Sequence, residues 1–116
     1  MEREIEEVST GEVKTATAGT MLVASALGSC IAVIACDKTN CLGGIAHIML
    51  PGCARNKNSS ERFRYAEDGI EELLRQMADL DSDPANIFVI VAGGANVLQR
   101  KDDSICKMNI ESVLDI

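Results

Sequence analysis

The chain has 116 residues with 47% hydrophobic content, enough for one compact core and too short for two, so it is read as a single domain over residues 1–116. Eighteen acidic against eleven basic residues give a net charge of −7, which repels a phosphate backbone and removes the usual driving force for nonspecific nucleic-acid binding. With one Tyr, two Phe and no Trp, stacking platforms for bases or flat cofactors are few, and partners are expected among proteins or small molecules.

The N-terminal MEREIEEVSTGEVK alternates charge where a secretory signal needs a basic start and an apolar block, so no export is expected. Residues 8–13 read as a short strand. Residues 15–36 carry no charge, a length that matches a bilayer, but Thr15, Thr17, Gly19, Thr20, Ser25, Gly28 and Ser29 dilute it and buried strands are the better reading. Residues 21–27 and 31–35 are apolar and β-branched, interrupted by Gly28-Ser29, which predicts strand, sharp turn, strand with Cys30 emerging at the turn. A polar turn over 37–40 leads to a third buried strand, 43–50, which contains His47 and closes at Pro51-Gly52.

Residues 52–60, GCARNKNSS, are polar and aperiodic and predict a mobile surface loop, a lid beside whatever His47 lines. Phe63, Ala66, Ile70, Leu73, Leu74, Met77 and Leu80 recur at helical spacing, with Ser60 placed as cap and Glu61 at the positive end. Residues 86–92 form a fully apolar strand, expected to be buried, which Gly93-Gly94 ends where backbone turns tightly or packs closely. Asn109 reads as the cap of a last helix over 110–116. That helix has barely two turns and places its terminal carboxylate at the negative end of its dipole, so further chain beyond Ile116 is expected. There is no internal repeat, low-complexity tract or Pro-rich linker.

The five cysteines, Cys30, Cys36, Cys41, Cys53 and Cys106, are odd in number and contain no CxxC pair, so neither a disulfide framework nor a standard zinc site is written here. Free thiols in a reducing cytosol fit better. Cys36, Cys41 and Cys53 form a metal or redox module only if the fold gathers them. Gly93-Gly94 is too little for a phosphate loop, and one histidine does not build a His-based catalytic zinc site. Cys30 and His47 are a thiol and the only imidazole of the chain, each beside a predicted strand end. A thiolate attacks carbonyl or carboxamide carbon, and an imidazole nearby ionises the thiol. Backbone N–H groups around Gly28-Ser29-Cys30 are placed to face a developing oxyanion. On spacing alone the favoured reading is a buried cysteine and a core histidine with a satisfied hydrogen bond.

The run Ala26-Leu27-Gly28-Ser29-Cys30-Ile31-Ala32-Val33, followed by Gly43-Gly44-Ile45-Ala46-His47-Ile48-Met49-Leu50-Pro51, closely resembles the chemoreceptor glutamine deamidase family, CheD. Arg64-Tyr65-Ala66 at the long helix, Ala92-Gly93-Gly94-Ala95 after the apolar strand and Asn109-Ile110 at the last helix continue the resemblance in order. It implies a layered α/β sandwich related to bacterial toxin cysteine deamidases. It implies a cytoplasmic hydrolase that converts selected glutamines of methyl-accepting chemotaxis receptors to glutamate plus ammonia, with Cys30 as nucleophile and His47 as general base. It also implies no metal or organic cofactor, no membrane embedding, and a second partner, the CheC-type phosphatase, which competes with receptor.

Three departures accompany the resemblance. The family's threonine six residues before the nucleophile, which orients the histidine, is here Ala24. Ser25 is adjacent but has the opposite strand parity, Thr20 has the right parity four residues earlier, and a backbone carbonyl is the third candidate. The family continues past Ile116 into glycine-rich strands that complete the sheet, so an unpaired edge is expected. Cys106 stands where the family tends to have glycine. A second reading is therefore a weak or inactive CheD-like module that binds the CheC phosphatase or receptors.

Overall fold

The computed structural model describes residues 4–25 and 27–93. The uncharged stretch folds as strands because its β-branched and small residues alternate between two apolar layers. Among the described residues the strands are β1 (Glu4–Glu7), β2 (Val13–Thr17), β3 (Thr20–Val23), β4 (Ile31–Asp37), β5 (Leu42–Ile48) and β6 (Ile87–Gly93), and a long helix, α1 (Ala66–Asp79), lies between β5 and β6. Among the described residues, no helix is long and apolar enough to cross a membrane.

The main sheet has the order β2-β5-β4-β6 with antiparallel neighbours throughout. Side-chain alternation gives it two unlike faces. Ile31, Val33 and Ala35 of β4 and Ala46 and Ile48 of β5 meet Ala66, Ile70, Leu73 and Met77 of α1. Burying each of the larger side chains contributes about 1.5–3 kcal/mol. The opposite face offers Ala32 and Ile45 to Val8, Leu22, Ala24 and Leu27, which flank or belong to the parallel pair β1-β3. Helix, four-stranded sheet and two-stranded sheet thus stack in that order, a mixed α/β architecture. His47 shares the parity of Ile45, so it lies on the face away from the helix.

Several expectations are corrected. Residues 8–12 are a turn, with Glu12 N–H donating to Ser9 O at 2.9 Å and Gly11 at φ +80°; only Val13 enters a strand. The helix starts at Ala66 with no side-chain cap, and Ser60 does not serve. The N–H groups of Ala66 and Glu67 donate instead to the carbonyls of Leu50 and Gly52, both at 2.9 Å, so the exit of β5 satisfies the helix's orphan donors. Phe63 falls in a preceding 3-10 turn, Arg62–Arg64, and Leu74 is 44% exposed, which narrows the apolar stripe. β6 is apolar but not buried, since Phe88 to Val91 are 39–54% exposed. Among the described residues it ends the sheet, with β4 as its one neighbour, and a strand so placed has cover on fewer sides. The expected helix over 110–116, and with it Gly94 and Cys106, lies outside the described residues.

The expected mobile loop over 52–60 is fastened. Asp68, 1% exposed in the first turn of α1, accepts from Ala54 N–H at 2.6 Å, from Lys57 Nζ at 2.5 Å and from Arg62 Nε at 3.3 Å. Burial pushes this carboxyl up, but Lys57, the Ala54 N–H and Arg62 outweigh it and hold it below the ordinary value. A depressed carboxyl stabilises the fold above its unfolded value of about 3.9 and loses that contribution as pH falls through the lower folded value. Asp68→Asn is expected to cost about 1–3 kcal/mol near neutral pH, read as a lower urea midpoint, with the difference from the unaltered protein shrinking in acid.

Candidate active site

Cys30 stands where the chain enters β4. Its N–H donates to Leu27 O at 2.7 Å, closing a turn whose second residue, Gly28, sits at φ +52°, a conformation that costs a side-chain-bearing residue energy. The expectation of a sharp turn presenting Cys30 therefore holds. From the other side, Gly93 pairs with Ile31, and a Cβ on it would lie 2.5 Å from the Cys30 carbonyl oxygen and 3.3 Å from Leu27 Cδ1. Its φ of +101° adds a second demand for glycine. Gly93→Ala is expected to destabilise by about 2–3 kcal/mol, seen as a lowered thermal midpoint, and to displace the Cys30 backbone.

His47 is 2% exposed and sits directly opposite Ala32 in the β4-β5 register. Cys30 precedes β4 directly, two residues ahead of Ala32. The Ser9–Glu12 turn is laced to β5 at this point: Gly11 N–H donates to His47 O at 2.9 Å and His47 N–H to Glu12 O at 3.1 Å. His47 Nδ1 lies 2.9 Å from Val8 O. A carbonyl only accepts, so Nδ1 carries the proton and Nε2 keeps its lone pair. Nε2 is the single buried side-chain polar atom without a hydrogen-bond partner among the described residues. A buried lone pair left unmatched costs free energy and marks a group available for chemistry.

The thiol is half-buried, and burial pushes Cys30 up from its ordinary value, while the nearby Thr10 hydroxyl pulls the other way. Cys30 therefore rests as a thiol. Among the described residues no hydrogen bond joins it to His47, so the arrangement is not a preformed ion pair. The Cys30 N–H is spent on Leu27, which removes it from the expected oxyanion donors. No hydrogen bond among the described residues occupies the N–H of Gly28 or Ser29.

The candidate orienting groups are placed elsewhere. Ser25 gives its N–H and Oγ to Glu7 Oε1, at 3.1 and 2.5 Å, and that contact, side chain first and backbone second, lowers the Glu7 carboxyl. Thr20 pairs with Glu4 and lines a cleft of about 340 Å³ with Cys36 and Cys41. Neither hydrogen-bonds to the imidazole. Ala24 packs in the small apolar cluster with Val8 and Ala32. The third candidate, a backbone carbonyl, is what faces Nδ1. Cys53 lies past the far end of β5 from Cys41, and no three His, Cys, Asp or Glu groups among the described residues stand together as metal ligands. The fold does not gather the three cysteines.

Sequence reading missed Thr10 and the Val8 carbonyl. Thr10 belongs to no pattern in the chain, and a carbonyl leaves no trace in residue identity. Gly93 was legible as a site of close packing, though not as the neighbour of Cys30.

A family model described as CheD chemotactic sensory transduction matches residues 49–116, beginning just after His47. The chain is 42% identical over 107 residues, 92% of its length, to a probable chemoreceptor glutamine deamidase CheD of Chlorobium luteolum, of which it covers 53%. Proteins of the same description from Syntrophomonas wolfei and Clostridium kluyveri are 33% and 32% identical over 84% and 88% of the chain and are covered over 61% and 64%. The chain thus spans about half to just under two thirds of these relatives' lengths. Taken together, the family model and these relatives show that the chain belongs to the CheD chemotactic sensory transduction family.

Proposed function

We propose that this chain is a chemoreceptor glutamine deamidase of the Cys-His type. The observation that carries the reading is the unpartnered, buried Nε2 of His47, which stands opposite Ala32, two residues on from Cys30 at the entry to β4. A glutamine carboxamide entering beside Cys30 finds a thiol, a base with a free lone pair, and the N–H groups of Gly28 and Ser29. His47 Nε2 takes the thiol proton as the sulfur attacks the carboxamide carbon, and the oxyanion turns toward those amides. The imidazolium returns the proton to the leaving nitrogen, so the C–N bond breaks, ammonia departs and a thioester to Cys30 remains. His47 then deprotonates a water, which attacks the thioester and releases glutamate and the thiol.

Every proton in this cycle is moved by His47, and the sequence of steps draws on no metal or organic cofactor. On this reading the substrates are methyl-accepting chemotaxis receptors in the cytoplasm, a CheC-type phosphatase competes for the same surface, and the layered fold is kin to the toxin cysteine deamidases. The relatives' description as glutamine deamidases supports the assignment. The test is to incubate the protein with a receptor cytoplasmic fragment and map glutamine-to-glutamate conversion by mass spectrometry. Conversion at defined glutamines with release of ammonia is expected.

A second reading is favoured by Ala24 and by the thiol raised through burial: a weak or inactive module that binds receptor or phosphatase. A folded protein that retains the receptor fragment and converts no glutamine would replace the first reading with this one.

A further inference from the structure

Residues 55–64 concentrate basic charge in an acidic chain: Arg55, Lys57, Arg62 and Arg64 are four of its eleven Lys and Arg, against Glu61 alone. Lys57 and Arg62 are committed to the buried Asp68, two cations on one carboxylate, and Arg55 is exposed. Arg64 is held differently. Its carbonyl accepts from the N–H groups of Met49 and Leu50, both at 2.8 Å, and Tyr65 bridges Leu50, so its backbone is laid along the exit of β5. Its side-chain stem lies flat on the turn that grips His47: a Cβ on Gly11 would stand 2.6 Å from Arg64 Cγ and 3.2 Å from Nε. Among the described residues the guanidinium has one ion pair, Nη2 to Glu61 Oε1 at 3.5 Å, with the two side chains 36% and 64% exposed. A pair so long and so well hydrated yields readily to another carboxylate.

Cys30 opens at the same end of the sheet. Ile31 pairs with Ile48, so the residue before β4 and the residues after β5 share that end. The strand order β2-β5-β4 sets Gly11 and Arg64 on one side of β5 and Cys30 on the other.

We propose that Arg64 is a specificity determinant: its guanidinium exchanges Glu61 for a carboxylate that flanks the target glutamine, and so brings to Cys30 those glutamines that have an acidic neighbour. A net charge of −7 repels an acidic segment except where cations gather, and the guanidinium fork takes a carboxylate by two parallel hydrogen bonds. The partner this end fits is therefore an acidic stretch of protein. The proposal rests on the deamidase reading above and names the substrate class of that site.

The experiment measures binding and conversion of a receptor cytoplasmic fragment with the unaltered protein, Arg64→Met and Arg64→Lys. Methionine keeps an apolar stem over Gly11, and the bonds to Met49 and Leu50 use backbone, so the charge is what is lost. Binding is titrated at low and high salt, and conversion is mapped site by site by mass spectrometry. In Arg64→Met, Kd and KM are expected to rise about three- to tenfold at low salt with kcat within about twofold, the rise fading in high salt, and Arg64→Lys to recover part of it. The loss falls on glutamines beside an Asp or Glu, and replacing that acid by its amide in the fragment abolishes the effect of Arg64→Met. An unchanged Kd in Arg64→Met, a loss that survives high salt, or an equal loss at glutamines with and without an acidic neighbour overturns the proposal, as does a fragment that the unaltered protein does not bind. If the fragment binds and no glutamine is converted, the deamidase reading falls while the salt-dependent difference in Kd still decides the role of Arg64.

Discussion

Cys30→Ala is expected to reduce glutamine conversion to background, a loss of about ten-thousandfold or more. Without sulfur there is no covalent step, and the remaining groups offer only a base and two amides to an unactivated water. The substitution keeps the Leu27 O to residue 30 N–H turn, because that bond uses backbone, and it leaves the Ile31 pairing with Ile48 and Gly93 intact. Folding and receptor retention are therefore expected to survive, which separates a chemical loss from a structural one. Site-mapped mass spectrometry of a receptor fragment, with thermal melts beside it, reads both.

His47→Gln is expected to lower turnover by about a hundred- to ten-thousandfold. The glutamine fills most of the buried space, and its amide N–H is able to donate to the Val8 carbonyl as Nδ1 does. What it lacks is a lone pair basic enough to take a proton from a thiol that burial has already made reluctant to ionise. Because every proposed proton transfer runs through Nε2, both acylation and hydrolysis slow. Single-turnover kinetics on receptor fragment checks this, and a variant retaining more than about a tenth of the rate would remove His47 from the base role.

How much of this was legible in the sequence follows from what kind of interaction each part uses. β4 and β5 were readable because side-chain identity alternates or runs apolar along them, and Gly28-Ser29 announced the turn before Cys30. The helix was readable in its middle, where Ile70, Leu73 and Met77 repeat, but not at its start. There Ser60 had the chemistry of a cap while the carbonyls of Leu50 and Gly52 took the work. β6 misled because an apolar run reads the same whether a strand has neighbours on both sides or, as among the described residues, on one. Only strand order distinguishes the two, and strand order is a tertiary fact.

The site divides the same way. Cys30 and His47 stand out as a lone imidazole and a thiol at a turn. What orients His47 does not, because it is a turn read as a strand: one carbonyl and two backbone hydrogen bonds contributed by residues 8–12. The charged groups of the 52–60 loop looked like the marks of a free lid, and Asp68, a carboxylate buried in a helix's first turn, shows why they are not: a buried charge must be matched by donors.

The most direct test of the central claim, that Cys30 is the nucleophile acting with His47, is to alkylate the protein in steps and plot residual glutamine conversion against site-resolved occupancy at each cysteine. Conversion should fall in proportion to Cys30 occupancy and be indifferent to modification of the exposed Cys41 and Cys53. Conversion that persists when Cys30 is fully alkylated would contradict it.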